Sequence, residues 1–349
     1  MQYSNFGNTG LIVSRMAFGA MTFGQGTLIG ELKNDIDQNM ADQMVGMCLD
    51  AGINFFDTAD MYTTGQSEIM LGKALKSRRD DVVIATKCGF RSGDAITSSG
   101  LSYRYILKAA AASLRRLDTD YIDLFLVHIP DPMTPLEETA RALDDVVRKG
   151  WVRYVGYSNY PAWKAQKMLA IQDRDGRARW IGAQMYYSLL GRDLENDVVP
   201  FLKDNGLGLM VWSPLASGFL SGKYTRENPV PAGSRRAKFD FPPVDIEKGY
   251  EVVAKLKALG EKYEASVAQV ALAWLLARPF VSSVIVGATK THQLKDNLAA
   301  VRINLAAEDV QILDDLTAPA VPYPAWMQPM GWDEKVKAAL GAESRGHGA

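Results

Sequence analysis

Eight short apolar runs punctuate the 349-residue chain, near 16–19, 53–56, 82–86, 122–127, 152–157, 180–184, 208–212 and 282–286, with segments of helical periodicity between them. Runs such as Val82-Val83-Ile84-Ala85 and Ile122-Asp123-Leu124-Phe125-Leu126-Val127 are short, apolar and followed by polar loops, so they read as strands buried on both faces. Helical segments are predicted at about 40–51, 67–76, 102–116, 135–149, 161–171, 194–205, 246–263 and 291–300, and two more at 266–277 and 306–317. Strands alternating with helices require a parallel sheet with crossovers, and eight such units predict an α/β fold closed as a (β/α)8 barrel of the TIM type. Ahead of it, the turn Gly7-Asn8-Thr9-Gly10 within residues 3–14 predicts an N-terminal β-hairpin that plugs the barrel's bottom. The whole chain, 1–349, reads as one barrel domain with a tail from about 319.

Composition removes several function classes. Apolar residues make up 47% and charged residues 23%, and no apolar stretch approaches the roughly 20 residues of a membrane span, so no membrane role is expected. The start, Met1-Gln2-Tyr3-Ser4-Asn5, lacks the basic flank and apolar core of a signal peptide, which predicts a cytoplasmic protein. Thirty-nine basic residues balance 40 acidic ones along the chain, which offers nucleic acid no electrostatic footprint. The two cysteines, Cys48 and Cys88, fit neither a disulfide framework nor a zinc ribbon and read as buried small apolar groups, with a reactive thiol at Cys88 as the alternative. Of the histidines His128, His292 and His347, only His128 follows a strand, so no multi-histidine metal site is expected, although a carboxylate Mg²⁺ site stays open.

Barrel chemistry collects on the loops after the strands, where residues distant in sequence become neighbours. Asp57, Tyr62, Lys87 and His128 each fall at or beyond the carboxyl end of such a run. A tyrosine is a weak acid at neutral pH unless a cation lowers its pKa, and Lys87 is placed to be that cation. Asp57 pairs with Lys87 in this reading and keeps the ammonium charged, while His128 orients a substrate oxygen. Donors converging on one developing alkoxide meet the electrostatic need of carbonyl reduction. A hydride source is also required, and no side chain supplies one. No Walker motif, Gly-x-Ser-x-Gly elbow or His-Glu-x-x-His occurs, and Gly24-Gln25-Gly26-Thr27-Leu28-Ile29-Gly30 has the wrong spacing for a dinucleotide fingerprint.

Six motifs, in order, resemble those of the aldo-keto reductases: Asp57-Thr58-Ala59-Asp60-Met61-Tyr62, Ala85-Thr86-Lys87, Val127-His128, Gly156-Tyr157-Ser158-Asn159, Gln184 and Trp212-Ser213-Pro214-Leu215-Ala216. The likeness spans about residues 3 to 317 and is greatest to a long-loop bacterial branch that also resembles potassium-channel β subunits, because 217–224 and Arg235 continue the pattern. It implies a small carbonyl substrate and a nicotinamide dinucleotide, covered by the long loop after strand seven. By that resemblance Ser158, Asn159 and Gln184 hold the carboxamide, Trp212 stacks on the ring, and Gly19, Ala20 and Met21 approach it through their backbone, beside Asp57. Ser213, Pro214, Leu215, Ala216, Gly218, Lys223 and Arg235 wrap the pyrophosphate, which agrees with the independent reading of 213–245 as a basic, glycine-rich loop at a barrel's usual phosphate position.

At the adenosine end the resemblance implies Gly287, Thr289, Lys290, Gln293, Asp296 and Asn297. Many NADPH-using members carry arginine where this chain has Gln293, so a 2′-phosphate leans on Lys290, helped by Thr289. NADP(H) is the expected cofactor and NAD(H) the alternative. Met21, Phe23, residues 90–99, Ile129-Pro130 and the aromatic tail 323–332, which is expected to dock on the body, would line an apolar substrate pocket, while 341–349 would fray. Two other functions stay open at this point: a nucleotide-sensing regulatory barrel with little turnover, and a lyase using Lys87 as a Schiff base. The sequence specifies no oligomeric state.

Overall fold

The computed structural model describes residues 1–29, 32–232 and 234–340. Strands β1 (Tyr3–Asn5) and β2 (Ile12–Ser14) form an antiparallel hairpin, β3 (Met16–Gly19) enters the barrel, and β4 (Gly24–Ile29) and β5 (Leu32–Ile36) form a second antiparallel ribbon outside it. The units α1 (Gln38–Asp50), β6 (Phe55–Asp57), α2 (Gln66–Leu75), β7 (Val83–Cys88), α3 (Tyr103–Leu117), β8 (Ile122–Val127), α4 (Leu136–Arg148), β9 (Val152–Ser158), α5 (Ala162–Arg174), β10 (Trp180–Tyr186), α6 (Val198–Asp204) and β11 (Gly208–Trp212) then alternate. After β11 come α7 (Arg235–Lys238), α8 (Ile246–Tyr263) and α9 (Val267–Leu276), then β12 (Ser283–Val286), α10 (Thr291–Ala299), α11 (Ala307–Leu316) and α12 (Glu334–Ala339). Among the described residues β3, β6, β7, β8, β9, β10, β11 and β12 close in that order into a barrel whose neighbours are all parallel. The predicted (β/α)8 fold is the one found.

Helix starts follow their caps. Asp37 accepts from the Met40 amide to open α1, Ser102 from the Tyr105 amide to open α3, and Ser266 with Gln269 forms a reciprocal capping box at α9. The predicted helix at 194–205 divides into a 3₁₀ turn, Asp193–Glu195, and the shorter α6. Pro200 is tolerated there because it stands in the first turn of α6, where amides lack intrahelical partners in any case.

The hairpin plug forms as expected. Phe6 and Val13 are fully buried in an apolar cluster with Ala17, Phe55, Val83, Leu124, Leu126 and Met210, and the Phe6 ring meets Phe55 edge-on at 5.9 Å. The glycines of neighbouring strands make the room. A Cβ at Gly182 would stand 2.4 Å from the Phe6 ring and 2.6 Å from the Gly208 carbonyl oxygen.

Two expectations fail. The tail was expected to dock through its aromatic residues, yet Tyr323, Trp326, Met330 and Trp332 are all 49% exposed or more. Phe23 was expected to line a pocket, yet it is fully buried against Phe18 at 5.4 Å, because the 3₁₀ turn after β3 aims it into the core. The segment 341–349 lies outside the described residues. No helix among the described residues is long and apolar enough to cross a membrane, and no group of three or more His, Cys, Asp or Glu among them is arranged to hold a metal.

The Gly182→Ala variant is expected to lose about 1 to 3 kcal/mol of unfolding free energy, because its methyl must displace both a packed ring and a strand carbonyl. Denaturant unfolding would show it as a lower midpoint at unchanged slope. An unaltered midpoint would mean that the plug yields without cost.

Candidate active site

The barrel register assembles the four candidate catalytic residues. Asp57 ends β6, Lys87 stands next to last in β7, and His128 follows β8 directly. Beyond Asp57 the chain keeps running along β7: the Thr58 amide donates to the Ala85 carbonyl at 2.9 Å and the Asp60 amide to the Lys87 carbonyl at 3.1 Å. This brings Tyr62, at the start of a 3₁₀ turn, back over the lysine.

Lys87 is fully buried, and its Nζ donates to Asp57 Oδ2 at 2.8 Å, to the Thr58 carbonyl at 2.6 Å and to the Tyr62 hydroxyl at 3.4 Å. Burial pulls its pKa down, but Asp57 and Tyr62 outweigh that and hold the ammonium above its ordinary value. A Schiff-base lysine needs a neutral amine, so this environment argues against the lyase reading. Burial also pushes the Tyr62 hydroxyl up, and Asp57 adds to the rise, while Lys87 pulls it back without prevailing. The lysine therefore does not depress the tyrosine below its usual pKa, as expected from sequence; it limits a rise that burial imposes. Tyr62 holds its proton at neutral pH.

His128 closes the group. Its ring meets Tyr62 edge-on at 5.9 Å and Phe90 edge-on at 4.7 Å, and its buried Nδ1 has no hydrogen-bond partner. Burial first, and Lys87 second, push its pKa well below the usual histidine value, so the imidazole is neutral. Cys88 behind it is fully buried, with its thiol pushed well up by burial, which leaves no reactive thiolate there.

The residues expected to hold a dinucleotide occupy the other arc of the rim, β9 through β12 and on to β3. Ser158 Oγ donates to the Gln184 carbonyl at 2.6 Å, and Asn159 Nδ2 donates to the His128 carbonyl at 3.0 Å and to Ser158 Oγ at 2.9 Å. Gln184 Nε2 donates to the second oxygen of Asp57 at 2.7 Å, and Trp212 Nε1 to Asn159 Oδ1 at 3.3 Å. The Trp212 ring packs between Tyr186, at 5.1 Å, and Phe241, at 5.8 Å. After β11, Ser213, Ala216, Ser217 and Gly218 all take positive φ, and the Ser217 amide donates to Ser213 Oγ at 3.0 Å. Pro214 is buried and Leu215 half-buried within this turn.

Arg235, on α7, brings a half-buried guanidinium near enough to Tyr62 to oppose its rising pKa. Its Nε is buried without a hydrogen-bond partner, and among the described residues neither Arg235 nor Lys223 is paired with a carboxylate. Two cations and a buried, unsatisfied N–H beside a left-handed turn fit an anionic group such as a pyrophosphate. At the far end, Gly287, Thr289 and Lys290 are exposed, and Gln293 Oε1 accepts from the Thr289 amide at 3.3 Å and hydroxyl at 3.2 Å. Asn297 is buried. Asp296 accepts from Ser266 Oγ and Gln269 Nε2, both at 2.7 Å, which ties it to the two residues of the α9 capping box. Gly19 and Ala20 are buried at the end of β3, and Met21 is half-buried.

Six of the eight non-glycine residues with positive φ among the described residues lie at this end of the barrel: Thr63, Thr64, Asn159, Ser213, Ala216 and Ser217. The other two, Asp118 and Glu264, cap the carboxyl ends of α3 and α8. Sequence reasoning missed the β4–β5 ribbon, whose Leu28 packs with Ala59 and Tyr62, and with Met21, Leu32 and Met61 around them. The Asn34 amide ties it down, donating to the Met21 carbonyl at 2.7 Å and to Thr63 Oγ1 at 2.9 Å. Leu32-Lys33-Asn34-Asp35-Ile36 carries no strict apolar–polar alternation, so no period-two signal marked it.

Comparison with known proteins agrees with this geometry. The aldo/keto reductase family model matches residues 15–318. A probable voltage-gated potassium channel subunit beta of Arabidopsis thaliana is 38% identical over 87% of this chain and 92% of its own length. Versiconal hemiacetal acetate reductase of Aspergillus parasiticus is 35% identical over 93% of this chain and 99% of its own, and the NADH-specific methylglyoxal reductase of Escherichia coli (strain K12) is 33% identical over 89% and 96%. With the match running from β3 past α11 of the closed parallel barrel, the chain belongs to the aldo/keto reductase family.

Proposed function

We propose that this chain reduces an aldehyde or ketone to the alcohol, with NADPH as the preferred hydride source and Tyr62 as the proton donor. The observation that carries the reading is the buried line Asp57–Lys87–Tyr62, in which a protonated phenol stands beside an ammonium that Asp57 and Tyr62 hold above its ordinary pKa. A bound nicotinamide dinucleotide would supply the hydride that no side chain can. Tyr62 gives its proton to the carbonyl oxygen as charge develops there, and Lys87 stabilises the phenolate left behind. Neutral His128 orients the oxygen without competing as an acid. Ser158, Asn159 and Gln184 would hold the carboxamide, Trp212 would face the ring, the 213–218 turn with Lys223 and Arg235 would take the pyrophosphate, and Lys290 the 2′-phosphate.

The substrate side is apolar, with Leu28, Met61 and Phe90 around Tyr62 and His128. Relatives named for methylglyoxal and for a versiconal ester span small and bulky carbonyls, and the half-exposed Met21 and the Leu28 ribbon support acceptance of an apolar carbonyl of either size. A second reading, a nucleotide-bound regulatory barrel with little turnover, is favoured by the channel-subunit relative. Steady multiple turnover of a carbonyl panel with NADPH would exclude it, and a single slow turnover would support it.

Tyr62→Phe is expected to lower kcat by about 10²- to 10⁴-fold, the usual worth of a positioned acid, with nucleotide affinity nearly intact. Retention of a third of wild-type kcat, with chemistry rate-limiting, would sink the assignment. Lys87→Met removes the charge that restrains the rise of Tyr62, so the acid limb of any residual pH profile is expected to move upward. An unmoved limb would tell against Lys87 as the tuning charge.

Lys290 is the only basic side chain in the 287–291 segment, and Gln293 beside it is already engaged by Thr289. Lys290→Ala is expected to weaken NADPH binding by about 1 to 3 kcal/mol, as for a lost charge-assisted hydrogen bond, and to leave NADH nearly unmoved. Fluorescence titration with both nucleotides at two ionic strengths measures this. An unchanged affinity ratio would move the 2′-phosphate to Arg235 or Lys223.

A further inference from the structure

Tyr105, in the first turn of α3, lies outside the catalytic group, and its hydroxyl stands where three segments meet. It is 2.8 Å from Ser92 Oγ, 3.2 Å from the Phe90 carbonyl oxygen and 3.3 Å from Asp60 Oδ2. Phe90 and Ser92 belong to the irregular stretch after β7, where the Phe90 ring packs on His128. Asp60 belongs to the loop that carries Tyr62, and its amide holds the Lys87 carbonyl. One phenol thus joins the segment beside the substrate to the segment bearing the acid.

A phenol has a single hydrogen, so it cannot donate to the Phe90 carbonyl and the Asp60 carboxyl at once. An ionised Asp60 is acceptor-only, and the charge-assisted bond takes the hydrogen, leaving the Phe90 carbonyl without it. A protonated Asp60 can donate to the phenol oxygen instead, and with the Ser92 hydroxyl donating to that same oxygen the phenol hydrogen turns to Phe90. Asp60 Oδ1 is buried without a partner, which disfavours the charged carboxylate, and the proton that donates to the phenol sits on Oδ2, the oxygen that faces it.

We propose that Tyr105 is a positioning residue that seats Phe90 against His128, and so shapes the entrance for the carbonyl substrate, according to whether Asp60 carries a proton. The kinetic half of this rests on the reductase reading above; the conformational half does not.

The groups that bear on Asp60 are Glu68 from α2, Arg116 and Tyr105 from α3, Cys88 from β7, and the Met61 amide of its own loop. Burial raises its pKa to about 7 and Glu68 adds to the rise, while Arg116, Tyr105 and the Met61 amide oppose it. Glu68 is satisfied by Thr86 Oγ1 and Arg116 Nε, each at 2.6 Å, so Asp60 is the carboxyl with an unpaired oxygen. The sign follows from the raised value: the proton is held below about pH 7 and lost above it, and with it the bond to Phe90.

Hydrogen exchange of the 89–100 amides at pH 6 and pH 8, corrected for intrinsic rates, tests the switch without reference to activity. The reporting bonds are Ser92 N–H to the Ser98 carbonyl at 3.0 Å and Gly100 N–H to the Gly89 carbonyl at 2.9 Å. Wild-type protection is expected to fall about 3- to 10-fold between the two, the loss of one hydrogen bond. Tyr105→Phe should be poorly protected at both, and Asp60→Asn, an isosteric mimic of the protonated acid, well protected at both. In parallel, the carbonyl KM should rise with pH in wild type, stay high in Tyr105→Phe and stay low in Asp60→Asn, with kcat and nucleotide Kd moving less than KM. Should Tyr105→Phe fail to fold, the Asp60→Asn arm still decides. Wild-type protection independent of pH, or a pH step retained in Asp60→Asn, overturns the proposal. A pH step in exchange without carbonyl turnover supports the switch and rejects only the reductase reading.

Discussion

An ammonium fully enclosed in the barrel mouth must be kept charged, and the structure around it is organised to that end. The Lys87–Asp57 pair is desolvated on both sides, so its attraction alone would only roughly offset the cost of taking two charges out of water. The Thr58 carbonyl and Gln184 complete the set by satisfying the remaining proton and oxygen. Those partners come from the end of β6, its continuation along β7, and β10 across the barrel. Strand register is therefore a chemical variable here: a slip in β7 by one residue would aim the lysine out of the barrel.

The same register divides the rim into two arcs. Strands β6 to β8 present charged and titratable groups, whereas β9 through β12 and back to β3 present amides, a tryptophan ring and a loop whose Lys223 and Arg235 have no carboxylate partner among the described residues. Gln184 and the Asn159–His128 hydrogen bond stitch the arcs together.

The barrel was legible because most of its strand positions are buried on both faces and so leave short, mainly apolar runs, followed by a polar residue that the fold turns into a rim position. Asp57, Lys87 and His128 could be placed by that rule alone. The β4–β5 ribbon obeys no such rule: it packs only one face, through Leu28 and Leu32, and its glycines weaken the alternation. Phe23 was misread for a different reason. One-dimensional pattern names which residues stand near an end of the barrel, but not which way a 3₁₀ turn aims a ring. The direction of the Tyr62 pKa likewise depended on enclosure, which spacing does not reveal.

The left-handed residues at the rim carry a consequence for how such a chain can adapt. Each non-glycine residue at positive φ costs on the order of 1 kcal/mol against an ordinary conformation, and here they gather at the end that performs the chemistry, while the opposite end is sealed by a close-packed ring. Glycine would relieve that backbone strain, but at Thr63 it would also remove the hydroxyl that accepts from Asn34 and donates to the Phe23 carbonyl. The side chains at these positions thus mark where local strain is held at the functional end of the barrel. A cold-adapted or heat-adapted descendant would be expected to differ first at the plugged end, where stability can change without reshaping the mouth.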